Sequence, residues 1–470
     1  MTMRDASMTF DSRETILVIG LGKSGRASVE ILRARGAAVY AVDEKPLAEL
    51  PGIIAQIQSQ GARFVSPGDL DALLPSLTSA VLSPGVPLNG ALVRRVQDAN
   101  VPVFSEIELA SRLCKAPIVA VTGTKGKSTT TSLIGHLLRS CGQTVYVGGN
   151  IGNPLIREVL PAAPGDWVVA EVSSFQLEAI RSFKPRVSVL LNLSADHLDR
   201  YYSMDEYAEA KFRIFANQSG SDAFVGNLDD PRVAALHWKQ DTNRVHARQL
   251  WFTMAEDHAR ATMYMRGSTL IYAPISGDPR PIEIVRREEI PLAGEHNVQN
   301  VMAGLLAALA VGMDPRELGK AVAGFSPMAH RLQPVDEIDG VLYVDDSKAT
   351  NPGAAIAALQ SYDRPIVLIA GGKSKNTEFA ELGRAIDARA KAAILIGEAA
   401  REIGETIALA HKHAAASMQQ AVRLARSIAR EGDVVLLSPA CASFDMFASA
   451  EDRGEKFAAE VHALRETTSA

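Results

Sequence analysis

Eight consecutive residues carry the most specific chemistry in the chain: Thr122-Gly123-Thr124-Lys125-Gly126-Lys127-Ser128-Thr129, set between a buried apolar run and a helical pattern. A glycine turn that opens a helix points backbone N–H groups at an anion, and a following lysine and hydroxyl suit a nucleoside triphosphate with magnesium. On this reading Lys127 neutralises the β- and γ-phosphate oxygens and Ser128 ligates the metal. The segment departs from the G-x-x-x-x-G-K-S/T pattern because Val121 stands where the first glycine belongs, and Gly123 is expected to make the turn instead. An ATP site is expected here.

A second glycine turn, Gly20-Leu21-Gly22-Lys23-Ser24-Gly25, satisfies GxGxxG after a strand, and Asp43 ends the next strand. A nicotinamide dinucleotide is one reading. The geometry would equally take any pyrophosphate at the helix N-terminus and any ribose hydroxyl at the carboxylate, so a UDP-sugar fits as well. A turn needed only for packing is the bland alternative.

Further candidates sit at strand ends. Glu171 precedes Ser173-Ser174-Phe175-Gln176-Leu177-Glu178, and His197 lies in Asp196-His197-Leu198-Asp199. Taken singly, Glu171 also reads as a helix N-terminal charge and His197 as a loop residue. Strand C-termini of an open parallel sheet converge on one crevice, which favours a shared phosphate and metal site. Lys211, within Tyr207–Phe212, reads from its chemistry alone as a charge on a solvated helix face. Three polar loops follow in the last third: Asp345–Asn351, Gly371–Lys375 and Ser438–Ser443. Helix capping alone could explain Asp346, Thr350 and Asn351; together the loops outline one wall of a crevice.

The elements that must position these groups repeat an α/β rhythm. Strand Thr15–Gly20, helix Ser24–Arg35 and strand Ala38–Asp43 form a doubly wound unit, continued at Ala80–Leu82 and Val101–Phe104. The rhythm restarts with strand Ala116–Thr122, helix Lys127–Cys141 and strands Thr144–Val147, Trp167–Val172 and Val187–Asn192. Alternating residues from Leu250 to Glu289 predict antiparallel strands, and a small-residue helix is expected over Val298–Val311. Pro327 and Pro334 mark a linker near Phe325–Gln333. A third series follows: Val341–Val344, a helix from Pro352, Ile366–Ala370, Ala393–Ile396 and Val434–Leu437. Three α/β domains are expected, each with a mainly parallel sheet, over residues 1–105, 106–327 and 328–470.

Composition bounds the rest. With 470 residues, 47% hydrophobic and 22% charged, the chain is an ordinary globular one with room for several domains. A net charge of −5 gives no general pull toward nucleic acid or an anionic membrane. Cys114, Cys141 and Cys441 are scattered, without zinc or disulfide spacing. The segment MTMRDASMTFDSRET lacks the apolar core of a signal peptide, and the apolar run from Val301 to Met313 is too short to span a bilayer. A cytoplasmic protein without membrane insertion is expected.

Taken in order, GTKGKST, Gly148-Gly149-Asn150-Ile151-Gly152, EVSSFQLE, DHLDRY, AKFRIF, Gly294-Glu295-His296-Asn297, DDSKATN and SPACASFDMF resemble the Mur ligase family, from about Ile16 to Phe457. Single motifs are shared with folylpolyglutamate synthetases; Gly20–Gly25, Ser83-Pro84-Gly85, DSKATN and SPACAS are more specific. The resemblance implies three domains, an N-terminal Rossmann-like, a central P-loop ATPase-like and a C-terminal Rossmann-like one. It implies a monomeric, ATP-dependent ligase of peptidoglycan precursor synthesis, joining D-glutamate to UDP-N-acetylmuramoyl-L-alanine. The nicotinamide reading of Gly20–Gly25 then gives way to the uridine diphosphate, held by Gly22, Lys23, Ser24, Asp43, Ser83, Gly85 and Asn150. ATP falls to Gly123, Thr124, Lys125, Gly126, Lys127, Ser128 and Thr129, with Asn297, Asn300, Arg331, Asp346 and Lys348. Ser128 and Glu171 match positions at one magnesium, His197 and a carbamylated Lys211 those at a second. Thr350, Lys375 and Ser443 match positions around glutamate, in a C-terminal domain that closes over ATP. One departure stands out: the family pattern places a phenylalanine, near the glutamate side chain, where this chain has Ala450. The competing readings are another Mur-type or folylpolyglutamate-type ligase, an ATP-hydrolysing switch protein and an NAD-dependent dehydrogenase.

Overall fold

The computed structural model describes residues 10–196, 200–238, 244–256, 261–274, 280–326, 329–374 and 378–468. By internal contacts the chain forms two units, one running to Glu289 and including Gln299–Gly324, the other made of Ile290–Val298 and the chain from Phe325.

The first unit holds two sheets. Five short strands, β1 (Thr15–Ile19), β2 (Ala38–Val42), β3 (Arg63–Phe64), β4 (Ser79–Leu82) and β5 (Val103–Ser105), pair in parallel in the order β3-β2-β1-β4-β5. Continuous apolar runs such as Ile16–Ile19 are buried because helices cover a parallel sheet on both faces. The order reverses at β1, which places the Gly20–Gly25 turn at the switch point where such sheets bind ligands.

The second sheet contains β6 (Ile118–Thr122), β7 (Val145–Gly149), β8 (Trp167–Glu171), β9 (Val187–Leu190), β10 (Ala223–Asn227), β11 (Arg248–Glu256), β12 (Met263–Arg266), β13 (Thr269–Tyr272) and β14 (Ile282–Arg286). Among the described residues its order is β14-β13-β12-β11-β10-β9-β6-β8-β7. The alternation after Leu250 does produce antiparallel pairing at β12–β13 and β13–β14, but β11 joins β10 in parallel. β6 is central, between β8 and β9, so the segment leaving it is flanked by the ends of both.

Helix Glu106–Leu113 ties the two sheets of this unit together through two buried carboxylates. Glu108 accepts the N–H groups of Arg181, Ser182 and Phe183 at 2.8–3.0 Å and the Arg112 guanidinium at 2.7 Å. Burial opposes its ionisation, yet these donors and the Ser182 hydroxyl hold it below the usual carboxylate range. Among the described residues Glu106 has one hydrogen-bond partner, the Ile156 N–H at 2.7 Å on Oε1, and its buried Oε2 has none. Burial pushes its carboxyl up to about 7.

The second unit is built on β15 (Gln333–Ile338), β16 (Val341–Asp345), β17 (Ile366–Gly371), β18 (Ala390–Ile396), β19 (Lys412–Ala415) and β20 (Val434–Leu437), ordered β15-β16-β20-β17-β18-β19. All pairs are parallel except β15–β16. Pro334, read from sequence as a linker residue, lies inside β15; an edge strand tolerates a proline because one side of it has no ladder to fill. Pro327 lies outside the described residues.

Candidate active site

Gly123 and Gly126 shape the loop after β6, with φ of 152° and 81°, values that favour glycine. Space matters as much: a Cβ on Gly126 would come within 2.2 Å of Asn300 Oδ1, from helix Glu295–Ala310. Asn192, beyond the end of β9, clamps the loop by accepting the Lys125 N–H at 2.8 Å and donating to the Lys125 carbonyl at 3.1 Å. Thr124 is fixed from the other side, through its hydroxyl, to the Ser194 carbonyl and the Tyr207 hydroxyl, both at 3.2 Å. Helix Lys127–Ser140 then carries Lys127, Ser128 and Thr129 in its first turn.

Two lysines converge on this loop. Lys127 Nζ donates to the carbonyls of Gly123 at 2.9 Å and Thr124 at 2.8 Å. Lys211 Nζ donates to the same Gly123 carbonyl at 2.9 Å and lies 4.7 Å from the Tyr207 ring centroid. Lys211 is only 2% exposed, not on a solvated face as its helix charge pattern suggests. Burial, reinforced by the neighbouring Lys127 charge, holds its amine well below the ordinary lysine value against the pull of Asp196 and Glu171.

Glu171 ends β8 beside the loop and is buried. Its Oε1 accepts from the Asn150 side-chain amide at 2.8 Å, and the Asn150 N–H donates to the Glu171 carbonyl at 2.9 Å. Its Oε2 is buried and has no hydrogen-bond partner among the described residues. A buried carboxylate oxygen of this kind, beside a glycine loop that opens a helix bearing Ser128, has the chemistry that suits a hard cation. His197 lies outside the described residues, as does Lys375.

At the switch point of the first sheet, Gly20 has φ 89°, and a Cβ on Gly25 would meet the Gly20 carbonyl at 1.8 Å. The turn therefore needs both glycines for close packing before any ligand is considered. Asp43 gives its oxygens to the N–H groups of Leu21 at 2.7 Å and Lys45 at 3.0 Å, so it braces the turn. Gly22, Lys23 and Ser24 form the helix entry, Ser83 lies against Gly20 and Gly22, and the space around Gly85 is open. A cavity of about 300 Å³ opens beside them, lined by Lys23, Arg26, Gln56, Gly152, Asn153, Pro154 and Arg157. Three cations in a cleft next to a helix N-terminus suit a phosphorylated ligand.

In the second unit Asn297 donates to the Ala293 carbonyl at 2.7 Å. Asp346 follows β16, accepting the Ser438 hydroxyl at 2.8 Å and the Leu332 N–H at 3.2 Å. Burial pushes its carboxyl up to about 7, against Ser438, Leu332 and the Arg331 charge. Lys348 is ion-paired with Glu451. The Thr350 N–H donates to the Lys348 carbonyl at 2.9 Å, Asn351 caps helix Pro352–Leu359, and Ser443 is buried after β20. The structure thus brings the phosphate loop, Glu171, Lys211, Asn150 and Asn300 together in one unit, and Arg331, Asp346, Lys348, Thr350 and Ser443 onto loops of the other.

Sequence reasoning missed Asn192, Tyr207, Glu106 and Arg453. The first three are ordinary residues in sequence, made special by partners 67, 83 and 50 positions away. Only Arg453, beside Gly454 in a helix, carried a local signal.

Comparison with known proteins bears on the whole chain. Residues 14–105 match the family model described as the Mur ligase MurD-like N-terminal domain, 121–308 the Mur ligase middle domain and 330–441 the Mur ligase glutamate ligase domain. The chain is 42% identical over 457 residues to the UDP-N-acetylmuramoylalanine–D-glutamate ligase of Pelotomaculum thermopropionicum, covering 97% of this chain and 98% of that one. It is 42% identical to the ligase of the same name from Geotalea daltonii, covering 96% and 97%. Among solved structures, MurF from Acinetobacter baumannii superposes with a TM-score of 0.58 at 17% identity, covering 98% of this chain and 92% of that one. The UDP-N-acetylmuramate-alanine ligase MurC from Thermotoga maritima gives 0.57 at 18%, covering 97% and 100%. The structural likenesses speak to the three-domain fold alone; by the family models and the relatives, the chain belongs to the Mur ligase family.

Proposed function

We infer that the chain is an ATP-dependent ligase that adds D-glutamate to UDP-N-acetylmuramoyl-L-alanine. The observation that carries this reading is the near end-to-end similarity, at 42% identity, to relatives bearing that name. The geometry supports its phosphate chemistry. In the domain limits 1–105, 106–327 and 328–470, we assign the UDP-substrate, ATP, and the amino acid to the three parts in turn.

A carboxylate is a poor acyl donor because oxide would have to leave. In the proposed reaction a carboxylate oxygen attacks the γ-phosphorus, ADP departs, and an acyl phosphate forms. The glutamate nitrogen then attacks the carbonyl carbon, and the tetrahedral adduct collapses with loss of phosphate and a proton. Lys127, already held inside the phosphate loop by the Gly123 and Thr124 carbonyls, offsets the repulsion between triphosphate and carboxylate. The loop N–H groups orient the phosphates, and Asn192 and Tyr207 keep that loop from relaxing.

Ser128 with the buried Glu171 Oε2 suits one magnesium ion, and His197 with a modified Lys211 is assigned to a second. Magnesium bound there would supply charge neutralisation for the phosphoryl oxygens. Lys211 can supply a ligand because burial favours its neutral amine: its lone pair adds to carbon dioxide, an N–C bond forms, a proton leaves, and an anionic carbamate results. Lys23, Arg26 and Arg157 around the 300 Å³ cavity fit the diphosphate of the nucleotide substrate. Thr350, Lys375 and Ser443 are assigned to the two carboxylates of glutamate.

The test is phosphate release from ATP with UDP-N-acetylmuramoyl-L-alanine and, in turn, D-glutamate, L-glutamate and D-aspartate. Turnover should require both the nucleotide substrate and an amino acid, and be highest with D-glutamate. Higher turnover with L-glutamate would refute the substrate assignment; phosphate release without either partner would favour a switch protein.

A further inference from the structure

Arg453 lies in the first turn of helix Ala450–Thr468 and is the largest fully buried side chain among the described residues, at 0% exposure. Its guanidinium is spent on two loops. Nε donates to the Ser347 hydroxyl at 2.9 Å and Nη2 to the Ser347 carbonyl at 2.8 Å. Nη1 and Nη2 both donate to the Cys441 carbonyl at 3.2 Å, and Nη1 also to that of Ala442 at 3.4 Å. The first loop follows β16, the second β20. A third, after β17, joins the same cluster, because the Lys373 N–H donates to the Ala442 carbonyl at 2.8 Å.

Two features indicate that this linkage is more than filling. A buried cation that has no hydrogen-bonded carboxylate among the described residues is a costly way to fill space that a methionine or leucine would fill better. Burial lowers Arg453 only to about 10, so it stays charged at neutral pH. The loop it grips is also strained: Ala440 has φ 62°, a left-handed conformation that non-glycine residues hold only when their surroundings enforce it. The two carbonyls that follow it, of Cys441 and Ala442, are those that Arg453 binds. Gly454 completes the arrangement, since a Cβ there would come within 2.1 Å of His330 Nδ1 and 2.5 Å of Asp345 Oδ2, a pair 2.6 Å apart. The Arg-Gly dipeptide thus lets the helix start sit directly under the loops.

We propose that Arg453 is a positioning residue for the amino-acid and nucleotide groups of the second unit, locking the Asp346–Thr350 loop to the Ser438–Ser443 loop by one buried guanidinium. The proposal rests on the assignment of Thr350 and Ser443 to the amino acid and of Asp346 and Lys348 to ATP. Its substrate-selective consequence is what distinguishes it from a general role in stability. The nucleotide-sugar groups belong to the first unit and should not sense the change.

The experiment compares wild type with Arg453→Met, Arg453→Lys and Ser347→Ala, measuring kcat, KM for each of the three substrates, and thermal unfolding. Wild-type turnover with D-glutamate must be established first; its absence would overturn the proposed function, whatever the variants do. Given that turnover, Arg453→Met should raise KM for the amino acid at least 10-fold and KM for ATP several-fold. KM for the UDP-substrate should stay within 2-fold. Arg453→Lys should recover part of the loss, and Ser347→Ala should reproduce it in milder form. Should Arg453→Met not fold, the other two variants decide. Unchanged KM for the amino acid in the folded variants, or equal shifts for all three substrates, would overturn the proposal.

Discussion

Lys211 in the phosphate-loop region and Arg453 in the second unit are both buried cations that donate to backbone carbonyls, yet burial does opposite things to them. Lys211 is held well below its ordinary value, a shift that favours the neutral amine. Arg453 falls only to about 10 and keeps its charge. A compact ammonium depends on hydration that burial removes, whereas a delocalised guanidinium starts higher and spreads its charge over five donors. The first region therefore contains a cation that can be chemically altered, and the second a permanent one that can hold loops. The region with Lys127 and Lys211 on a single carbonyl suits reaction; the region around Arg453 suits orientation.

The sharpest way to break this contrast is at Lys127. Lys127→Ala should lower phosphate release on the order of 10³-fold with the fold intact, since it removes the charge we assign to the transferring phosphoryl group. A folded variant with near-normal turnover would remove the phosphate loop from the mechanism. Lys211→Ala should be nearly as damaging, roughly 10²-fold or more, and formate or acetate should restore part of the activity by supplying metal-ligating oxygens. Neither acid should help Arg453→Met, whose defect is one of geometry. Full activity of Lys211→Ala, or equal rescue of both variants, would erase the distinction.

A subtler test uses an acid under the same burial. Glu106, pushed up to about 7, keeps its proton in the fold below that pH and ionises near 4.5 when unfolded. Between those values the folded state binds more protons, so this group contributes stability that is present below about pH 4.5 and is lost as pH rises through 7. Asp346 contributes with the same sign. Glu106→Gln should accordingly gain stability relative to wild type between pH 5 and pH 8, by at most about 3 kcal/mol. Melting curves at the two pH values check this, and a constant difference would show that Glu106 is ionised in the fold. The smallest expected effect is at Ala450. Ala450→Phe should lower KM for D-glutamate by roughly 5-fold, the scale of one aromatic contact, without changing the preference between enantiomers.

The three-series α/β rhythm and the glycine loop between β6 and its following helix were legible in the sequence alone. Both are local: buried parallel strands read as apolar runs, and the Thr122–Thr129 loop is made by its own glycines, lysine and hydroxyls within eight positions. Strands β15 and β19 were not legible, because edge strands carry proline or polar residues, as in Pro334 and Lys412-His413. Nor were the environments of the working side chains. Lys211 meets the Gly123 carbonyl across 88 residues, and Arg453 meets Ser347 across 106. Their identities were in plain view, but protonation and role depend on burial and on distant carbonyls. Desolvation is a property of the packed surroundings, not of the residue, so the lowering of the Lys211 amine and the retained charge of Arg453 emerge only from the tertiary structure.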